Sequence, residues 1–168
     1  NKLNAIIRKL KNQGIVGKSD GGNTVHHQYG YNFKYTNLQA AISLNQLKSL
    51  NKRIKRLKQH YKIYRDNLKK LKEVKVFNFN IKDGEFPLWT DIWCRNRDEL
   101  HSYLMKRKID CRKFWYPLHT QKPFKTNSKY FKNSKKIYKD LLWLPSALKL
   151  NNADILKVCK SIKNFYKQ

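Results

Sequence analysis

The apolar positions of this chain fall into runs of helical spacing and runs of strand character. In residues 1–12, Leu3, Ile6, Ile7 and Leu10 recur at i, i+3, i+4 and i+7, which predicts one apolar face of a helix. Gly14 is a natural stop for it. Residues 15–29 read as a loop, broken by Gly17, Gly21 and Gly22. A polar, aromatic loop follows, Gly30-Tyr31-Asn32-Phe33-Lys34, and runs into a helix at Thr36. Thr36 and Gln39 fit a capping box, in which each side chain satisfies a backbone N–H of the first turn. Leu38, Ala41, Ile42 and Leu44 give that helix an apolar start, and the small Ala40, Ala41 and Ser43 let another backbone come close. The longest periodic signal covers residues 38–71. Leu47, Leu50, Ile54, Leu57, Tyr61, Tyr64, Leu68 and Leu71 alternate spacings of three and four, predicting one continuous helix of roughly 50 Å. A coiled coil is the rival reading, but its flanking positions are nearly all basic, so two copies would repel. Packing on its own domain is preferred.

The second half alternates shorter elements. Residues 74–79 are a β-like run, Asp83-Gly84 marks a turn, and the aromatic and β-branched residues 86–95 predict a strand. Asn96 with Glu99 predicts a second capping box, opening a helix through Leu100, Tyr103, Leu104 and Arg107. Residues 109–115 read as a strand, ended by a turn at Tyr116-Pro117-Leu118-His119 because proline fixes φ and lacks an N–H. A polar, aromatic loop occupies 121–133, and 134–142 reads as a short helix running into an apolar stretch. Asn151 caps a last helix with Asp154 in its first turn, and Ile155, Val158, Cys159 and Ile162 form its inner face. This order suits an α/β or α+β two-layer domain.

Composition changes the picture in three places. There are 38 Lys and Arg against 11 Asp and Glu, a net charge of +27. Such a charge can serve nucleic acid or an anionic surface. The lysines are scattered along the chain, and Lys, Asn, Ile and Tyr are all abundant, which favours composition bias over a dedicated footprint. Cys94, Cys111 and Cys159 are odd in number and lack C-x-x-C spacing, so a disulfide framework or zinc site is not expected and a reducing, cytoplasmic setting is. Met105 is the one methionine, so Asn1 is not expected to be a natural start; a fragment, a processed product or a truncated reading frame is. No apolar run approaches the roughly 20 residues of a membrane span, and no signal peptide is visible. Gly17-Lys18-Ser19 lacks the upstream glycine of a phosphate loop, since Asn12 stands there. His26 and His27 are adjacent and would point to opposite faces of a strand, which disfavours a shared metal. No metal site is expected.

Three stretches carry a resemblance. Residues 30–47, GYNFKYTNLQAAISLNQL, resemble the G-Y-N-x-R-x-[ST]-N-x-Q-A-A-x-G-x-x-Q-L stretch of the DegT/DnrJ/StrS sugar aminotransferases. Lys34 stands where the family usually has arginine, and Ser43 where it usually has glycine. The run from Asn96 to His119 resembles R-D-x-L-x-x-x-L-x-x-x-G-I-x-T-R-x-x-x-x-P-L-H, with Lys108 in place of the glycine and Cys111 in place of the threonine. The turn at Lys108 is expected to be strained as a result. Leu141-Leu142-Trp143-Leu144-Pro145-Ser146 resembles the family's L-x-L-P-S. The start of the chain is similar to the family's helix ending R-x-L-R-N-H-G, with Gln13 for histidine.

The resemblance implies a type I pyridoxal-phosphate-dependent transferase of the α/β class, seen in its C-terminal part only. Residues 1–35 would be the end of the large cofactor domain, including an active-site loop. Residues 36–168 would be a long linking helix and a small two-layer domain. The implied reaction is amination of a nucleotide-linked keto-sugar in surface-polysaccharide biosynthesis, with glutamate as donor and pyridoxal 5'-phosphate as cofactor. The implied assembly is a homodimer. The family's cofactor-bonding lysine and its acidic partner to the cofactor ring lie in a context that no lysine here shares, so no catalytic residue is expected in this chain, and the chain alone is expected to be inactive. Asn32 and Lys34 would touch the cofactor phosphate, reaching into a neighbouring subunit's site. Tyr31 and His119 would line the sugar-nucleotide cleft, although a histidine after Pro-Leu taken alone reads as a structural hydrogen-bonder. Two other classes remain from the residues themselves: a basic nucleic-acid-binding module, for which no recognition motif appears, and a helical interaction protein built on the 38–71 seam.

Overall fold

The computed structural model describes residues 1–16 and 25–167, so Gly17-Lys18-Ser19 and the glycines at 21 and 22 lie outside the described residues. Packing divides the chain into two compact units, Asn1–Ser49 and Leu50–Gln168.

In the first unit, α1 (Lys2–Lys11) begins where the Asn1 side chain accepts from the Leu3 amide at 3.1 Å. Its apolar positions Leu3, Ile6, Ile7 and Leu10 are exposed within the unit. The second helix, α2 (Asn37–Lys48), opens with the expected capping box: the Gln39 amide donates to Thr36 Oγ1 at 3.2 Å, and the Thr36 amide to Gln39 Oε1 at 2.9 Å. It stops at Ser49. The Ser49 hydroxyl donates to the Gln46 carbonyl at 3.0 Å, the acceptor that the next residue's amide would need for the helix to continue. A new helix, α3 (Leu50–Leu68), starts at once. The expectation of one helix over 38–71 is thereby corrected to two. The seam itself holds from Leu57 onward, where Leu57, Tyr61, Tyr64 and Leu68 are buried, while Leu47 is exposed.

The second unit is a four-stranded antiparallel sheet with helices on one face. After α3 come β1 (Val74–Val76), β2 (Thr90–Cys94), α4 (Arg97–Lys106), β3 (Arg112–Lys113), α5 (Lys132–Ile137), β4 (Leu141–Leu144) and α6 (Asn152–Phe165). The spatial order is β1-β2-β4-β3, with Val74 opposite Cys94, Ile92 opposite Leu142 and Arg112 opposite Trp143. Strand β2 alternates, with Thr90, Ile92 and Cys94 turned into the core. Helices α3, α4 and α6 meet over that face, and Tyr64, Leu68, Leu100, Leu104, Ile155 and Ile162 close the core. Each such fully buried aliphatic side chain contributes about 1.5–3 kcal/mol. The expected cap of α6 is present: Asn151 accepts from the Asp154 amide at 2.9 Å, and Asp154 from the Asn151 amide at 2.8 Å. All four predicted inner residues of α6 are buried.

Other expectations are corrected. The strand predicted over 74–79 ends at Val76, because the Phe77 carbonyl and the Phe79 amide both bond the buried Tyr61 hydroxyl instead of a neighbouring strand. The strand predicted over 86–95 starts at Thr90, and the one over 109–115 shrinks to two residues. The helix predicted over 134–142 ends at Ile137, and the apolar Leu141–Leu144 is a central strand buried on both faces. The capping box of Asn96 with Glu99 does not form. Asn96 is left-handed, φ 52°, and makes no cap; Asp98 instead pairs with Lys113 at 2.6 Å and Arg97 at 3.1 Å. At the other end of α4, the Lys108 amide bonds Met105 and the Ile109 amide bonds Leu104, the two bonds of a Schellman stop. That stop places Lys108 at φ 57°, where glycine is favoured, as expected from the sequence.

Candidate functional site

The loop carrying Tyr31, Asn32 and Lys34 is built on the open end of α1. A helix leaves its last carbonyls without partners. Here the Gly14 amide caps the Lys9 carbonyl at 2.9 Å, but the next ones are taken by the loop. The Tyr31 amide donates to Leu10 at 2.6 Å, the Phe33 amide to Lys11 at 3.1 Å, and Tyr31 in return accepts from the Gln13 amide at 3.1 Å. The loop is thus zipped along the helix end as a short bridge, with Asn12 opposite Asn32.

This approach needs glycines. A Cβ on Gly30 would stand 2.1 Å from the Gly14 nitrogen, and one on Gly14 would stand 1.8 Å from the Gln28 carbonyl oxygen. Gly14 is also left-handed, φ 76°. Sequence reasoning took Gly14 as a helix stop and Gly30 only as the start of a loop. The backbone contact between them was not legible, although the glycine heading the Gly-Tyr-Asn motif was its signal.

Along the bridged stretch side chains alternate. Tyr31 and Phe33 stack with ring centroids 5.1 Å apart and planes 11° from parallel. Period-two alternation puts Asn32 and Lys34 together on the other side, both exposed. An amide N–H and an ammonium are both donors suited to a phosphate, so the chemistry of these two side chains fits the phosphate of the implied cofactor. His26 Nδ1 donates to the Gln13 carbonyl at 2.6 Å, which occupies that ring nitrogen in bracing the turn.

His119 belongs to the other unit. It follows Pro117, in a short helical turn at Leu118–Thr120, and is buried. Its ring stacks on Phe131, centroids 4.7 Å apart, and its Nε2 has no partner among the described residues. It lines a hollow of about 980 Å³ whose walls include Trp115, Tyr116, Phe124 and Tyr138.

The face of the sheet away from the helices carries groups that sequence reasoning missed. Trp143 on β4 is sandwiched by Trp89, parallel at 5.0 Å, and by Trp115, edge-on at 4.5 Å. Asp91, its register partner on β2, has a carboxyl pushed up to about 6 by burial. One Asp91 oxygen and the Trp143 indole nitrogen both lack partners among the described residues. The alternation of residues 86–95 held the clue, since it turns a carboxylate toward an aromatic layer. The three cysteines are buried thiols, each pushed up to about 12 by burial and so held protonated, unfit as nucleophiles.

Comparison with known proteins adds three findings. The DegT/DnrJ/EryC1/StrS aminotransferase family matches residues 1–163. A GDP-perosamine synthase from Escherichia coli O157:H7 is 35% identical over 158 residues, covering 86% of this chain, and one from Vibrio cholerae is 30% identical over 171 residues, covering 94%. The chain spans 42% and 44% of the lengths of these two relatives. Among solved structures, the Streptococcus pneumoniae protein Spr1654 in its PLP form superposes with a TM-score of 0.83 at 13% identity, covering 99% of this chain and 44% of its own. That likeness shows the shared fold.

Proposed function

Because the chain belongs to the DegT/DnrJ/EryC1/StrS aminotransferase family, we propose that it supplies the C-terminal share of a pyridoxal-phosphate-dependent enzyme that aminates a nucleotide-linked keto-sugar, with glutamate as donor. The relatives named GDP-perosamine synthase support a nucleotide-sugar substrate. In this reading residues 1–35 close the large domain, and 36–168 form the linking helices and small domain.

The observation that carries the reading is the zipped loop at residues 30–34. Backbone bonds to α1 fix its register, and Asn32 and Lys34 stand exposed on the side opposite the Tyr31–Phe33 stack. Bound there, pyridoxal phosphate would supply an electron sink for the amino transfer. Asn32 would donate its amide N–H to a phosphate oxygen and Lys34 would add a point charge, without the bidentate fork of arginine. Neither side chain is placed to carry the substrate proton, so this chain binds and orients. The assembly is a homodimer in which the loop serves the neighbouring subunit's site. A helical interaction protein is disfavoured, since the seam from Leu57 to Leu68 is spent in the unit's own core.

The test is amino transfer from glutamate to a nucleotide-linked keto-sugar, read as 2-oxoglutarate release. The chain alone should retain no cofactor after gel filtration and release none. Joined to the N-terminal portion of a family member, it should do both. A chain that alone holds stoichiometric cofactor, reducible by borohydride onto one of its lysines, would overturn the assignment.

A further inference from the structure

Two side chains one turn apart on α3 converge on a single acceptor. His60 is only 1% exposed, and its Nε2 lies 3.1 Å from the Leu150 carbonyl oxygen. A carbonyl can only accept, so Nε2 carries a proton, and in the neutral ring Nδ1 is a bare acceptor. That Nδ1 has no partner among the described residues. Arg56 Nη2 donates to the same Leu150 carbonyl. Its Nη1 donates to Asn152 Oδ1 and to Gln59 Oε1, each at 3.1 Å. Leu150 and Asn152 flank Asn151, the cap of α6, so the pair ties α3 to the entrance of α6. The charge around the ring has one sign. Arg56 stands one turn before it on the same helix. Tyr64, one turn after it, is held protonated by burial and donates to the Pro145 carbonyl at 2.8 Å. On the opposite segment, Lys149 is exposed, and the Asp154 carboxylate accepts from the Asn151 amide at 2.8 Å. No carboxylate of a described residue pairs with Arg56 or His60.

A second proton on this ring is unfavourable in the closed structure. It would put a buried N–H on Nδ1 with no acceptor, and a second cation beside Arg56. We propose that Arg56 and His60 form a latch, closed while the ring is neutral and opened by acid, that holds the front of α3 to the entrance of α6. Burial pushes the His60 pKa below its ordinary 6.5, with Arg56 adding to the effect and the Leu150 bond opposing it. An opened ring regains water and its ordinary pKa, so protonation favours the open state. The latch is therefore held above about pH 6.5 and weakens as the pH falls below it. What it releases is bounded. The core cluster grips α3 from Tyr64 onward, and the Tyr61 hydroxyl is bonded to Phe77 and Phe79. Ahead of Tyr61, the buried residues of the helix are Leu57 and His60. Acid thus frees residues 50–60 and leaves the later turns of α3 and the sheet in place.

The test is nuclear magnetic resonance on the full chain, following the His60 imidazole and amide hydrogen exchange from about pH 7.5 to about pH 5.5. At the upper end the ring should be the Nε2–H tautomer, and its midpoint should lie below 6.5. After correction for intrinsic rates, the Leu57 and His60 amides should lose about three- to tenfold of their protection over this range. The Ile162 amide in α6 should stay better protected than both at every pH, which marks the opening as local. His60→Gln keeps an N–H donor for Leu150 and carries no charge, so it should hold the protection and remove its pH dependence. Arg56→Gln should raise the His60 midpoint, which loss of packing elsewhere would not do. A midpoint at or above 6.5 in the unaltered chain overturns the proposal, and that measurement needs no variant. So does exchange at Leu57 and His60 that moves only in step with Ile162. The same pH dependence in His60→Gln as in the parent also overturns it. The latch requires neither cofactor nor amino transfer, so its failure and that of the proposed function are separate results.

Discussion

Gly30 and Gly14 meet backbone to backbone, so closely that a Cβ on Gly30 would lie 2.1 Å from the Gly14 amide nitrogen. The atom in the way is main chain, which cannot swing aside as a side chain could. Gly30→Ala should therefore cost at least the upper part of the roughly 1–3 kcal/mol typical of overpacking. It should also unzip the loop from α1. Hydrogen exchange is the measurement: the Tyr31 and Phe33 amides should lose protection, while Ile155 in α6 keeps its own. Unchanged protection at Tyr31 would show that the contact does not hold the loop.

Asp91 makes stability depend on pH. Its carboxyl titrates near the usual 3.9 in the unfolded chain and at about 6 in the folded one, raised by burial. Between those values the folded state keeps a proton that the unfolded state has released. The stabilisation is complete below about pH 4 and is lost as pH rises to about 6. The group is partly solvated, so the effect should be on the order of 1 kcal/mol. Asp91→Asn should abolish this part of the slope. Thermal unfolding of both proteins from pH 4 to pH 7 checks it, and parallel curves would remove Asp91 as the cause.

Both features show where the sequence was legible and where it was not. The periodic signals located α1, α6 and the inner halves of α3 and α4, because burial of Leu57, Leu100 or Ile155 enforces helical spacing locally. The caps at Thr36 and Asn151 are likewise local chemistry and were readable. What failed depends on single hydrogen bonds and backbone conformations that leave no periodic trace. The break at Ser49 turns on one hydroxyl, the end of β1 on the Tyr61 hydroxyl, and the failed cap at Asn96 on a left-handed φ that composition does not announce. Residues 141–144 were ambiguous because a strand buried on both faces has no alternation. In the candidate site, Asn32 and Lys34 were legible through the motif. The glycine contact beneath them and the orphaned pair Asp91 and Trp143 were not, since each joins residues far apart in the chain.

Lys108 offers a stabilising change. It occupies the left-handed position of the stop that ends α4, φ 57°, and its side chain is exposed. A residue with a Cβ pays roughly 1–2 kcal/mol there, part of which glycine's larger unfolded-state entropy offsets. Lys108→Gly should therefore raise the stability by about 0.5–1 kcal/mol, and Lys108→Val should lower it. Urea unfolding of the three proteins decides it. A glycine variant less stable than the parent would mean that the lysine stem contributes packing worth more than the strain.

Asn32 and Lys34 should act on cofactor retention and not on the chemical step, because both stand on the exposed side of a loop whose backbone is already committed to α1. In a protein that joins this chain to the family's cofactor-bonding portion, Asn32→Ala removes a hydrogen bond to a charged phosphate. Such a bond is worth about 1.5–3 kcal/mol, roughly ten- to a hundredfold in cofactor affinity. Lys34→Ala removes a point charge in a solvated setting, so its cost should be smaller and should shrink further at high salt. Lys34→Arg should tighten binding by restoring two parallel N–H donors to one phosphate. The measurements are the cofactor dissociation constant and the turnover at saturating cofactor. If Asn32→Ala abolishes turnover while cofactor affinity stays unchanged, the side chain belongs to the reaction and not to the phosphate. If both alanine variants only lower the melting temperature, the stretch is a capped helix entrance and nothing more. Tighter binding by the arginine variant, with turnover per bound cofactor unchanged, is the one result that a purely structural loop would not produce.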